Sequence, residues 1–236
     1  MIKQNIYIIL ILTLFLTNAR AQNPINQFDD NNKRHGLWTK NYHKTSEKRY
    51  EGVFDHGKEI DSFKFYTLSN GKSVLSAIKV FNPTDSIADV TFLASTKHVI
   101  SKGKMNGKRF IGEWIYYHKN SKEKMIVENY NKQGLLEGER KVYFKNGELA
   151  EIAHYKNGKL HGASKWFSEN GTLLRQATHK DDHLEGKNTN YDAKGNITSE
   201  GNYIKSQKKG VWRYYDNGEL TKEIDHTKQE VISKNE

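Results

Sequence analysis

Residues 138–162 read GERKVYFKNGELAEIAHYKNGKLHG, and their spacing decides the fold. Two short runs rich in aromatic and β-branched residues are separated by Asn146-Gly147 and closed by Asn157-Gly158. Such runs suit a pleated surface. Asn-Gly tolerates the positive φ that a tight hairpin demands. One stretch is therefore two strands and two turns. The pattern then repeats: Gly138, Gly162, Gly186 and Gly210 lie 24 residues apart each time. A second set at the same phase is Gly147, Gly171, Gly195 and Gly218. A fixed period of this length signals a repeat architecture.

The same ruler extends backward. A small residue stands nine positions before each main glycine: Asn129, Ala153, Ala177 and Gly201. Gly103 stands so before Gly112, and Gly52 before Asp61, where Asp replaces the glycine. Between Asp61 and Gly112 the pattern is worn, with a decayed copy expected around Ser86–Phe92. The count is about seven to eight units. The fold class expected is all-β: an elongated, twisted antiparallel sheet of tandem β-hairpins with a period of about 24 residues. Apolar spacing does not support long amphipathic helices. The glycines Gly112, Gly138, Gly162, Gly186, Gly210, Gly147, Gly171, Gly195 and Gly218 are expected as scaffold turns. None precedes a helix in the manner of a phosphate-binding loop.

The organisation that follows begins with a signal peptide over residues 1–21. It has Lys3 as a basic start, an apolar Ile6–Leu16 core and an Ala19-Arg20-Ala21 cleavage pattern. The protein is thus expected to be exported, to a periplasm or outside the cell. Residues 22–34 read as a linker, 35–226 as the repeats (73–102 degenerate) and 227–236 as a tail. There is no cysteine, so disulfides and thiol chemistry are excluded. Stability must come from stacking hairpins on their neighbours.

At this point the residues resemble a known family. Tyr50-Glu51-Gly52 with Gly57, and Glu200-Gly201-Asn202-Tyr203 with Gly210, resemble MORN repeats. The whole set is similar to the MORN-variant proteins of bacteria often labelled YwqK-like antitoxins, over roughly residues 35–226. The resemblance implies a run of antiparallel hairpins with scaffold or binding roles rather than catalysis. The antitoxin label implies neutralising a toxin by contact. Two departures stand out: a single Gly replaces the usual Gly-x-Gly, and Asp61 replaces a Gly.

Candidate chemistry is sparse. His179 and His183 have a metal-pair spacing but sit at a strand end and turn, and His154 and His179 occupy the repeat's aromatic place. No metal, cofactor or catalytic set is expected. Glu113, Glu137, Glu139 and Glu185 are spread evenly along the scaffold, which favours cross-strand pairing with Lys or Arg over one converging site. Trp114, Tyr143, Trp166, Tyr191 and Tyr215 could form a ladder along one face, either as core or as a binding stripe. The net charge of +10 concentrates in Lys102, Lys104, Lys108 and Arg109, and in Lys205, Lys208 and Lys209. These could contact an anionic partner, or merely protect sheet edges. The expected partner is another protein, with anionic lipid or glycan as the alternative and no nucleic acid. A true site should depart from the repeat, and residues 73–102 are the best candidate for such a departure, or for simple decay of the pattern.

Overall fold

The computed structural model describes residues 24–234, all as strands and turns without a helix. The expected signal peptide lies outside the described residues. The strands of the first half are β1 (Gln27–Phe28), β2 (Arg34–Asn41), β3 (Lys48–Asp55), β4 (Lys58–Ser69), β5 (Lys72–Phe81), β6 (Ile87–Leu93), β7 (Val99–Asn106), β8 (Arg109–Tyr117) and β9 (Lys124–Tyr130). The second half comprises β10 (Gly138–Tyr143), β11 (Leu149–Lys156), β12 (Lys159–Phe167), β13 (Leu173–Lys180), β14 (His183–Tyr191), β15 (Ile197–Ile204), β16 (Gln207–Asp216), β17 (Glu219–Asp225) and β18 (Glu230–Lys234). Each pairs antiparallel with the next along the chain, in one open sheet.

All nine predicted glycines have positive φ, but they do two different jobs. Gly147, Gly171 and Gly195 close turns, each donating its amide to a carbonyl three residues back. Gly218 follows Asn217 in a two-residue hairpin with φ of 86° and 47°. Gly112, Gly162, Gly186 and Gly210 are not turn residues: they lie inside β8, β12, β14 and β16, and Gly138 opens β10. There the register slips against the preceding strand for the four inner glycines, at Gly103/Lys104, Ala153/Tyr155, Ala177/His179 and Glu200/Asn202. These are bulges, which bend a strand and raise its twist. Asp61 keeps the same role in β4, with φ of 53° opposite the slip at Glu51/Val53.

Residues directly opposite one another share a face of the sheet. The column Arg140–Ala153–Ser164–Ala177–Asn188–Gly201 runs across six strands by such pairs. The same face carries Trp38 opposite Gly52, and Gly103 opposite Trp114. Along this column size is exchanged. Each small residue has a partner eleven positions on: Gly52 with Phe63, Gly103 with Trp114, Gly201 with Trp212. Where the first is Gly the second is a large ring; where it is Ala the second is Ser164 or Asn188. A Cβ on Gly52, Gly103 or Gly201 would meet that ring at 2.4–2.5 Å. The rings lie flat on bare backbone, and Trp114 and Trp212 are 0% and 1% exposed. Each indole N–H donates to a bulge carbonyl, Lys104 O at 2.9 Å and Asn202 O at 3.0 Å.

The small place between β8 and β9 is held by Glu128, which pairs with Trp114; the expected Asn129 is one residue off. Here a charged network replaces the ring. Arg140 Nε is 3.0 Å from Glu128, Nη1 is 3.4 Å from Glu151, and Tyr130 OH donates to Glu128 at 2.6 Å. Burial first, then the Glu128 carboxylate, pushes the Tyr130 phenol up.

Hairpin tips are stitched to the unit before. Gly158, Asp182 and Ser206 donate their amides to Leu136, Leu160 and Leu184. Glu137 and Glu185 accept the amides of Asn157 and Lys205 at 2.8 and 2.9 Å, rather than pairing with Lys or Arg as expected. Glu139 pairs with Lys141 at 2.7 Å, but within its own strand β10 rather than across strands.

The expected linker is docked. Asn26 N donates to Leu37 O, and Phe28 packs edge-on against Trp38 with centroids 5.0 Å apart. The expected tail forms the edge strand β18. Within residues 73–102, β5 and β6 pair without any bulge and bury Ala88 and Val90.

His179 carries a pH consequence. It is buried, with Nδ1 3.1 Å from Ser164 Oγ. Burial, then Arg175, holds its pKa below the usual 6.5. On acidification the unfolded chain therefore takes the proton first, and stability falls as pH drops below about 6.5. Denaturant midpoints are expected to fall between pH 7.5 and 5.5, and to fall less in His179→Gln. Equal losses in both chains would refute this role. His226, also held low by burial, acts in the same direction, and His56, held high by Asp29, acts in the opposite one; the paired comparison isolates His179.

Candidate functional site

A groove of about 790 Å³ spans β2 to β7. At about 4.8 Å between strands, five strand steps extend about 24 Å. Its position follows from register. Lys40 lies opposite Tyr50, Tyr50 opposite Phe65, Phe65 opposite Ala77, and Ala77 opposite Phe92. These residues share one face, and with Met105 they line the groove. The absence of a bulge between β5 and β6 keeps this part of the face in even register.

Arg34, Lys40, Arg49 and Lys79 also line the groove, and no carboxylate does. Arg34 is held in place: its guanidinium lies 5.0 Å from the Trp38 ring and 5.2 Å from Phe54, and donates to Tyr50 OH at 3.2 Å. Lys79 Nζ stands 5.6 Å from the Phe65 ring. Among the described residues Lys40, Arg49 and Lys79 form no ion pair. At one side Tyr42 OH donates to Tyr66 O at 2.6 Å, and Tyr66 OH to Glu51 at 2.7 Å. Burial, then Glu51, pushes the Tyr66 phenol up to about 12. It stays a hydrogen-bond donor at any physiological pH.

The residues singled out by sequence do not converge. Trp114, Trp166 and the three tyrosines take three different repeat places: Trp114 aligns with Ser164, Trp166 with Tyr214, and Tyr143, Tyr191 and Tyr215 with Phe167. No ring of the five packs on another of the five. Trp114 is core, and Trp166 is half-buried under Arg175 at 5.0 Å. The two basic groups, on β7–β8 and β15–β16, stand eight strand positions apart. Several are engaged: Lys104 with Asp89 at 3.1 Å, and Lys208 over Trp212 at 4.1 Å. His179 bonds Ser164, and His183 bonds the Asp181 carbonyl, so they make no pair.

The repeats themselves have a known counterpart. The MORN repeat variant matches residues 136–157, 160–181 and 184–205. Each matched stretch starts at a leucine whose carbonyl receives the next hairpin tip: Leu136, Leu160 and Leu184. The matched unit is thus the stitched unit of this sheet. No curated protein matches the chain. The groove lies outside the three matched repeats, in the half of the sheet that departs from them.

Proposed function

We propose that the chain is an exported, non-catalytic repeat scaffold whose groove grips an extended, acidic segment of a partner protein in the cell envelope. The observation that carries this is an apolar floor bordered by four cations with no carboxylate in the lining. An apolar floor rewards burial of side chains, and unpaired cations reward acidic ones while steering their approach. The open length, about 24 Å, matches about seven extended residues at about 3.3 Å each. A toxin polypeptide, the partner implied by the antitoxin-like resemblance, is one chain that could supply such a segment.

The test is capture of crosslinked envelope proteins by the purified chain, beside a Lys40→Glu/Arg49→Glu/Lys79→Glu variant. The wild type should retain one protein at low and high salt, because the floor contacts outlast charge screening. The triple variant should retain it at least about tenfold less, the loss of about 1.4 kcal/mol. Lys205→Glu/Lys209→Glu should retain it undiminished. Capture of lipid or glycan alone, lost at high salt, would overturn the reading.

A further inference from the structure

At the first hairpin tip, three segments bring together two histidines and two aspartates. His35 lies on β2, Asp55 ends β3, His56 begins the β3–β4 turn, and Asp29 sits in the turn between β1 and β2. One ligand atom each from His35, Asp55 and His56 lies within 4.8 Å of the others. Asp55 Oδ1 is 3.5 Å from His35 Nδ1 and 3.7 Å from His56 Nε2. We propose that His35, Asp55 and His56 bind a divalent transition metal, with zinc the best match.

The spacing fits the ion. Two ligands each about 2.0–2.1 Å from a tetrahedral zinc stand about 3.3 Å apart, so the two Asp55–histidine separations need to close by a few tenths of an ångström, and the two histidine nitrogens, within 4.8 Å of each other, by up to about 1.5 Å. Each histidine offers one unprotonated nitrogen. His56 Nδ1 is 2.5 Å from Asp29 Oδ2. With its proton on that bond, Nε2 is left to coordinate, the carboxylate–histidine–metal arrangement that fixes tautomer and ring direction. The Asp29 side chain is only 8% exposed, and its other oxygen accepts the amides of Asn31 and Lys33. It is therefore a fixed positioning group. The His56 amide donates to His35 Nδ1 at 3.4 Å, so that nitrogen carries no proton, and its lone pair must exchange this long bond for the ion.

Two imidazoles and one carboxylate are a donor set that zinc accepts readily and that hard cations such as Mg²⁺ or Ca²⁺ do not prefer. Three protein ligands leave a fourth position for water or a partner's side chain. The ion would tie β2 to the β3–β4 tip, so binding should stabilise the N-terminal end of the sheet.

Calorimetric titration of the purified, untagged chain with Zn²⁺ tests this, with Co²⁺ absorption as a second readout. One ion per chain is expected, with a tetrahedral Co²⁺ spectrum and a raised melting temperature. His35→Gln and His56→Gln should each weaken binding at least about 100-fold, and Asp29→Asn about 10- to 100-fold. His183→Gln, at the exposed start of β14, should leave it unchanged. Both histidines are exposed, so the metal-free variants should still fold, with His56→Gln melting slightly below the wild type for loss of its contact with Asp29. No binding by the wild type, or binding that survives His56→Gln, overturns the proposal. The groove reading does not depend on it.

Discussion

Trp114→Ala is expected to cost about 3–5 kcal/mol, the usual range for deleting a buried large aromatic. The indole is fully buried, stacked on Phe110 at 3.9 Å between centroids, and packed with Ala88, Val90 and Met105. In a one-layer sheet no second layer can collapse into the vacated space. The loss also strips a partner from the Lys104 carbonyl. A domain's whole stability is about 5–15 kcal/mol, so the middle units should melt well before the rest, as nearest-neighbour coupling allows. Trp166→Ala should cost much less, because Trp166 is half-buried and meets mainly Arg175 and His179. Denaturant unfolding followed by far-ultraviolet circular dichroism compares the two. A loss at Trp166 equal to that at Trp114 would contradict the assignment of the core to the Trp114 place.

The hairpin period was legible because turn glycines and strand aromatics recur in phase, and short-range rules connect them to geometry. The jobs of the glycines were not. Positive φ is required both at Gly147, in a turn, and at Gly162, in a bulge, so composition alone cannot separate them. Pairing separates them, and pairing is a long-range property. The same limit explains Glu128: Asn129-Tyr130 imitates the small-aromatic pair, and only the register opposite Trp114 shows the true phase. The aromatic ladder failed for this reason as well: its five rings take three different repeat places, which only the pairing register separates.

The groove was partly legible. The stretch 73–102 departs from the repeat, and Ser76, Ala77, Lys79 and Phe92 from that stretch do line it. Arg34 and Lys40 could not be foreseen, because they reach the groove only through stacking of β2 on β3. His35 and His56 were missed although a signal existed. They stand 21 residues apart, close to one period, and residues one period apart come side by side when hairpins stack.

Size exchange across the bulge yields the second large effect. Gly201→Ala is expected to cost about 1–3 kcal/mol, the range for overpacking a filled core. Its backbone is not left-handed, so alanine is permitted by φ, and the whole cost is the Trp212 ring, 2.4 Å from the new methyl. Gly210→Ala is the control: nothing lies within 4 Å there, but φ is 65°, so its cost of about 1–2 kcal/mol comes from the backbone alone. Trp212→Asn should be costly by itself, since it empties the space over Gly201. The double variant Gly201→Ala/Trp212→Asn recreates the pair that Ala177 and Asn188 already form one unit earlier. It should be more stable than the sum of the single losses predicts, by about 0.5–3 kcal/mol, the coupling expected for residues in contact. Gly210→Ala/Trp212→Asn should show no such rescue. Strict additivity in the first pair would mean that the ring and the bare backbone are not a matched unit, and that the alternation of Gly–ring and Ala–polar pairs along the sheet has no steric cause.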